Sequence, residues 1–472
     1  MHINEPATLV VGGGIAGLFG ALLIAEQYRP GTVYLLERAD EVGGLLKSVD
    51  GGRYGRFDLG MHTFPTSGVR EVDRCLEGLL QDDEWIVLEG ARRDVSGIIY
   101  EGKLQTGCHY PDLNLLPKEF LDKCIADFFV SLQPDPLPTA TDMEMYATNR
   151  FGPLIAKHVI APIVENHFGC QAVEIDTAIV TVLPLDRIAF FSESVFKQLL
   201  HSPLLRSRVA YPDQRNLDIK YSSGNYSLYP KASGAYRLID ALVQRLAVCG
   251  VKIVTTATIR STEVLHGTLR QVAVQTSEDT LIFSNVARVL WTAGISSLAR
   301  TLALSVPSTP IKIHRRNAIV NLLISEPPNM EDLYYYWGFD RNYRTFRVTN
   351  FANYCPSAQR ADGYPVAVEL FLHPEDPTGT EGVLSLAIKE LEAFGVLRPD
   401  SKIVFHKSQV LNGGFPVLSA QSKRLHQDTS AAIASLDLKN LVISGMQASW
   451  GLILQPDVLK HTFAEIHRSF GA

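Results

Sequence analysis

Three glycines carry the first chemistry that can be read from this sequence. Gly12, Gly14 and Gly17 stand at G-x-G-x-x-G spacing, directly after the β-branched run ATLVV and directly before an apolar helical pattern. A strand that must turn sharply, bring its backbone against a pyrophosphate and pack closely on the next helix needs a position without a side chain at each of those three places. At the opening of the helix, around Ile15 and Ala16, unpaired N–H groups and the helix dipole favour negative charge. Glu37 ends the next strand-like run, TVYLLER, twenty positions after Gly17, with Arg38 beside it. At that distance a carboxylate accepts hydrogen bonds from a ribose diol. Strand, glycine loop, helix, strand and acid fall in the order of a βαβ unit of ~30 residues.

The elements that must hold this unit are set by length and patterning. The chain has 472 residues, 46% of them hydrophobic, which is enough for two or three domains with their own cores. It carries 44 Lys and Arg against 50 Asp and Glu, a net charge of −6. That balance argues against nucleic acid as a partner, because a phosphate-binding face shows as a basic excess. Cys75, Cys108, Cys124, Cys170, Cys249 and Cys355 form no C-x-x-C pair and no cluster at metal-ligand spacing. Neither a disulfide framework nor a metal site is therefore expected, and a reducing cytoplasm is the expected location. Residues 8–28 come closest to a membrane span, but they hold five glycines and end in Glu26-Gln27-Tyr28. The preceding MHINEPA lacks the positive region of a secretory signal, so no transmembrane segment and no signal peptide are expected.

The segment after the βαβ unit separates FAD from NAD. ERADEVGGLLKS places Gly43-Gly44 shortly after Glu37, and YGRFDLGMHTF comes next at 54–64. This resembles the flavin-containing amine oxidase superfamily, whose members carry E-x(5)-G-G and F-D-x-G-x-H segments in this order. The resemblance implies FAD as the cofactor. It implies that Gly43 and Gly44 let the backbone pass under the FAD phosphates, and that Gly60, Met61 and His62 lie against the isoalloxazine ring. Leu45 stands where members carry the arginine of G-G-R, which leaves Lys47 or Arg53 as other sources of a phosphate contact.

Further along, residues 112–205 read mainly as helices, with PKEFLDKCIADFFVSL and RFGPLIAKHVIAPIVENHFG placing apolar residues at three- and four-residue spacing. Without a basic polar face they read as a lid over a substrate. Residues 226–259 read as turn, helix and strand, returning the chain to the dinucleotide domain at Ile259, and 268–293 reads as an antiparallel hairpin and then a buried strand. At the end, KNLVISGMQASWGLILQPDVLKHTFAEIHR gives strand, glycine turn and helix. In the superfamily this unit passes the ribityl chain, with an acid after the glycine. Here Met446 comes after Gly445, and the backbone N–H groups from Leu454 to Val458 are expected to face the flavin carbonyls. The expected fold is α/β: a doubly wound, Rossmann-type FAD-binding domain over 1–75, 226–300 and 425–472, a helical subdomain over 76–225 and an inserted α+β substrate region over 301–424.

The pair RFGPLIAKHVIAPIVENHFG with VEID, and YRTFRVTNFANYCP before YPVAVELF, resemble the protoporphyrinogen oxidase and UDP-galactopyranose mutase branch. That branch offers two chemistries. A dehydrogenase needs a substrate C–H over the flavin and often a base for a proton, whereas a mutase holds a diphosphate with arginines. His62 is the first catalytic candidate, because an imidazole beside the flavin titrates near neutral pH. Arg344 and Arg347 are candidate phosphate contacts, and their odd separation on a strand puts them on opposite faces. Tyr334, Tyr335, Tyr336, Trp337 and Tyr354 are candidates for the wall opposite the flavin, and His167 with Cys170 reads as a packed helix end. The expectation is an FAD-dependent oxidoreductase removing two electrons from a polar small molecule, a nucleotide-linked sugar or natural-product intermediate among the candidates. Dioxygen or another acceptor is expected to reoxidise the flavin, and a homodimer is a candidate assembly. A mutase-like isomerase, a protoporphyrinogen oxidase-like enzyme and a non-catalytic flavin-binding protein are the alternatives.

Overall fold

ATLVV forms a strand, β2 (Ala7–Val11), in which every residue is buried. Alternation is absent because both faces of a parallel sheet are covered. In the computed structural model, which describes residues 1–28, 31–221, 224–305, 315–377, 379–411 and 417–471, β2 lies at the centre of a five-stranded sheet. Its neighbours are β3 (Thr32–Leu36) and β15 (Val286–Trp291), with β11 (Lys252–Val254) and β21 (Leu441–Ile443) outside them, and all four pairings are parallel. The helix Ile15–Leu23 lies on this sheet and meets the helices Tyr236–Val248 and Gln455–Phe470. A methyl group on Gly20 would stand 2.5 Å from Leu290 Cδ2, so the bare backbone is what allows that helix to approach. Leu9, Val10, Leu18 and Leu290 are fully buried in or against the sheet, each stabilising the fold by ~1.5–3 kcal/mol.

The hairpin expected over 268–293 forms as β13 (Thr268–Gln275) and β14 (Thr280–Phe283). It belongs to a four-stranded sheet with β12 (Thr258–Leu265) and with β1 (His2–Ile3), which pairs parallel to β14. Smaller pieces connect the regions: β4 (Ser48–Asp50) pairs with β5 (Arg56–Asp58), and β10 (Ser227–Pro230) pairs with β6 (Phe64–Pro65) and β7 (Trp85–Leu88).

A seven-stranded sheet forms the floor of the second region. Its order is β20 (Ile403–Leu411), β16 (Arg316–Ile324), β19 (Tyr364–Leu372), β18 (Thr345–Asn350), β17 (Tyr335–Gly338), β8 (Ser96–Tyr100) and β9 (Lys103–Gln105). The 76–225 stretch is thus not helical throughout. Ser96–Tyr100 is wholly buried and joins β17 in parallel across more than 230 residues of chain, a pairing that local periodicity does not announce. The helices expected between 112 and 205 form, among them Lys118–Ser131, Met143–Phe151 and Ala161–Phe168. Within the expected 301–424 region, residues 306–314, 378 and 412–416 lie outside the described set.

The sheet has two unlike faces. On one, Tyr336 packs edge-on against Phe394 at the end of the helix Thr380–Ala393. On the other, Phe57 and Leu59 pack against Ile319 and Leu323, joining the sheet to the segment after the glycine loops. Cross-strand partners share a face. Trp337, Arg347, Glu369 and Ile319 therefore lie in one row on that second face.

Candidate active site

The glycine loop is built as its spacing requires. Gly12 turns the chain with φ +108°, donates its N–H to Leu36 O at 2.9 Å, and is clamped by Thr292, whose Oγ1 donates to Val11 O and Gly12 O at 3.0 and 3.1 Å. A Cβ on Gly17 would stand 1.8 Å from Gly12 O, whereas one on Gly14 would meet nothing within 4 Å. Gly17 is thus bare for packing, while Gly14 faces open space where a phosphate can approach. Ile15 and Ala16 begin the helix behind it. Glu37 holds the loop with both oxygens: Gly13 N–H donates to Oε2 at 2.6 Å and Ala39 N–H to Oε1 at 2.8 Å. A carboxylate has about four lone-pair sites, so the same oxygens can still accept from a ribose diol. Arg38 beside it is exposed.

Gly43 and Gly44 come up against this loop. Gly43 donates its N–H to Gly13 O at 2.7 Å, and the Cβ position of Gly44 lies 3.2 Å from Gly14 Cα. Both have positive φ, +118° and +59°, which is why this crossing takes glycines. Leu45 comes next, with 45% of its side chain exposed. Lys47 is 3.4 Å from Glu41, and Arg53 bonds the Tyr54 hydroxyl, so each of these cations already has a partner.

Beyond the loops, Gly60, Met61 and His62 rest on the sheet. Arg347 forms a two-pronged pair with Glu369, Nε to Oε1 at 2.6 Å and Nη2 to Oε2 at 2.9 Å, with side chains 18% and 8% exposed. The Met61 N–H points to Glu369 Oε1 at 3.4 Å, and a Cβ on Gly60, whose φ is +83°, would stand 2.9 Å from the Glu369 carboxyl carbon. Glu369 therefore sets the height of the loop over the sheet. His62 Nε2 lies 2.9 Å from Leu59 O. A carbonyl only accepts, so Nε2 carries the proton and Nδ1 the lone pair. Desolvation holds the imidazole below its ordinary pKa, with Glu369 pulling it up and Arg347 pushing it down. His62 is neutral at pH 7 and its Nδ1 can accept a proton.

Sequence reasoning singled out neither Glu369 nor Asp58. Asp58 is buried beneath this loop, where the Tyr229 hydroxyl donates to Oδ2 at 2.6 Å and Ala235 N–H donates at 2.8 Å to Oδ1. Desolvation raises it to about 6, partly offset by the Tyr229 and Ala235 hydrogen bonds. It ties F-D-x-G-x-H to the start of the helix Tyr236–Val248, and the aspartate in that motif was the only available signal.

The C-terminal unit closes the cradle. Gly445 has φ +91°, and a Cβ there would stand 2.8 Å from Thr292 O. Met446 and Leu454 are 39% and 38% exposed, so with Leu45 three of the positions expected to touch cofactor are large apolar side chains left uncovered. Val458 departs from expectation: its N–H closes the first helical turn onto Leu454 O and its side chain is buried, leaving no donor to offer. Ile259 pairs with Val274 in the four-stranded sheet and packs into that sheet's core, two residues beyond Ala257, whose N–H reaches Glu37 O.

The two arginines separate. Arg347 lies on the face that carries the Gly60–His62 loop, but Arg344 pairs with Asp376 at 2.7 Å and its N–H donates to Glu390. The aromatic run divides as well, Tyr335 and Trp337 on the side of Arg347 and Tyr336 on the other. His167 is buried with Nδ1 2.9 Å from Ile163 O, and desolvation lowers it to about 4. It is a packed helix end, and no cluster of three or more metal-ligating side chains occurs among the described residues.

Residues 10–79 match the family model of the NAD(P)-binding Rossmann-like domain. The whole chain superposes on a reduced UDP-galactopyranose mutase with a TM-score of 0.75 at 15% identity, covering 99% of this chain and 96% of that one. For a protoporphyrinogen oxidase-like protein of Exiguobacterium sp. 255-15 the TM-score is 0.66 at 14% identity, with 99% of both chains covered. For a redesigned putrescine oxidase it is 0.55 at 13% identity, covering 100% of this chain and 99% of that one. No curated protein matches the sequence. The chain has the fold of these three proteins, with an NAD(P)-binding Rossmann-like segment at residues 10–79.

Proposed function

We propose that the protein is an FAD-dependent oxidoreductase that removes two electrons from a polar small molecule. The observation that carries this reading is the built glycine cradle, in which Gly14 faces open space, Gly43-Gly44 crosses against it and Glu37 holds its edge, followed in the chain by the Gly60–His62 loop resting on Glu369. The residues fit the cofactor. Gly12, Gly14 and Gly17 would cradle its pyrophosphate, Glu37 its ribose, and Gly445 to Leu454 its flavin end. FAD, when bound, supplies an electron-accepting ring. The chain would then orient the substrate, and Nδ1 of neutral His62 would accept the proton that the substrate's O–H or N–H group loses when the neighbouring C–H is oxidised. Tyr335 and Trp337 line the face on which the substrate rests.

The likeness to a mutase makes isomerisation the second reading. Against it, Arg347 and Arg344 are each neutralised by a carboxylate and lie apart, so they do not form a diphosphate clamp. Dioxygen as acceptor, a homodimer and a cytoplasmic location belong to the same proposal; among the described residues no helix is long and apolar enough to cross a membrane. The test is anaerobic reduction of the flavin-loaded protein by candidate substrates. Substrate-driven bleaching supports oxidation, and turnover only after reduction by dithionite supports the mutase instead.

A further inference from the structure

Near the β8 side of the seven-stranded sheet stands a cluster that takes no part in the glycine cradle or the Gly60–His62 loop. The register places Ser96, Tyr335, Thr349 and Ala367 in the row next to Ile98, Trp337, Arg347 and Glu369. Ser96 is thus three strand spacings from β19, ~14 Å at ~4.8 Å each. Its Oγ is 2.7 Å from His109 Nδ1, and the Tyr335 hydroxyl donates to Asp94 Oδ1 at 2.5 Å. Arg187 lies 4.9 Å over the Tyr110 ring, with Nε 3.3 Å from Asp186 Oδ2. Ser96, Tyr110 and Tyr335 are buried beneath, while Asp94, His109, Asp186 and Arg187 are partly exposed above them.

The charges in this cluster balance. Asp186 compensates Arg187, and Asp94 stands beside Arg93, the groups that face His109. Desolvation holds His109 itself below its ordinary pKa, so it is neutral at pH 7. Along the same face Arg347 is already matched by Glu369. A diphosphate or carboxylate would therefore meet no uncompensated cation among these groups. What they do offer is hydrogen-bonding groups at the partly exposed positions: Oδ2 of Asp94, Nε2 of His109 and the remaining N–H groups of Arg187.

We propose that this cluster is a binding subsite for an uncharged, hydroxyl-bearing end of an elongated substrate, whose reacting end lies at His62, on the loop that rests on Glu369 of β19, three strands from Ser96. Only the placement of the reacting end rests on the flavoenzyme reading; the subsite itself does not. The full-length protein is titrated with methyl α-D-glucopyranoside and, separately, with UDP, using saturation-transfer NMR. The glucoside is expected to bind, with affinity falling about tenfold or more in His109→Ala and in Tyr335→Phe. Tyr335→Phe removes only the hydroxyl that orients Asp94 and keeps the packed ring, so it remains informative if the alanine variant fails to fold. Absence of glucoside binding, glucoside binding unchanged in both variants, or UDP binding that is lost in Arg187→Ala would each overturn the subsite. The flavin spectrum of every sample is recorded as well: a colourless protein that still binds the glucoside defeats the redox reading and leaves the subsite standing.

Discussion

Replacing Glu369 by alanine should be among the most damaging single changes on the face of the sheet that carries the Gly60–His62 loop. Both prongs of Arg347 lose their acceptor, and the guanidinium stays in a site where only 18% of its side chain is exposed. Breaking a buried pair from one side costs about 3–5 kcal/mol, because an uncompensated charge remains. Loss of the Met61 N–H acceptor adds little, since that contact is long at 3.4 Å. Removing both partners, Glu369→Leu with Arg347→Met, should restore most of the loss, because a well-packed apolar pair can replace a buried ion pair at similar or better stability. The assay is urea unfolding of Glu369→Leu, Arg347→Met and the double variant, read as a double-mutant cycle, with Glu369→Ala measured beside them. Glu369→Ala should fall by at least about 3 kcal/mol and the double variant should recover more than half of it. A single-variant cost below about 1 kcal/mol would refute the reasoning, because that is the range of an exposed pair.

The same geometry sets other expectations. Asp58 has its carboxyl raised from the ordinary 3.8 to about 6 in the fold. A raised carboxyl means that the folded state keeps a proton the unfolded chain has released, so this group destabilises the fold above pH ~6 and the penalty fades as pH falls toward ~4. Urea midpoints at about pH 7.5 and about pH 5 should show the wild type gaining about 1.4 kcal/mol relative to Asp58→Asn at the lower pH; an unchanged difference would refute it. Gly17→Ala places a methyl 1.8 Å from Gly12 O and should yield protein without bound FAD, checked by the absorbance of the purified variant. Leu45→Arg adds a cation at an exposed position beside the cradle, and should tighten FAD binding by about 0.2–1 kcal/mol at low salt, measured by flavin fluorescence titration.

The legible part of the sequence is its local part. ATLVV, the three glycines and Glu37 lie within one βαβ unit, where each residue's task depends on near neighbours, and the structure builds it as the spacing requires. The alternation rule separates Arg344 from Arg347, but not which one faces His62, because Glu369 and Asp376 decide that from distant segments. Asp58 reads in the sequence only as a motif letter, since its partners Tyr229 and Ala235 are more than 170 residues away. The joining of Ser96–Tyr100 to β17 is hidden for the same reason: a wholly buried short run does not say which sheet buries it. The expectation at Val458 fails for a simpler reason, since a helix uses its own N–H groups after the first turn and counting from the glycine places that boundary too late.

The central claim is that the glycine cradle at Gly12–Gly17 and the Gly60–His62 loop hold FAD, and the absorption spectrum of the protein, with release and identification of whatever it holds, tests it most directly. Flavin bands from the protein as purified or after incubation with FAD, with close to one FAD recovered per chain and none from Gly17→Ala, are the expected result. A protein that stays colourless after incubation with FAD, or that releases a pyridine nucleotide instead, would contradict it.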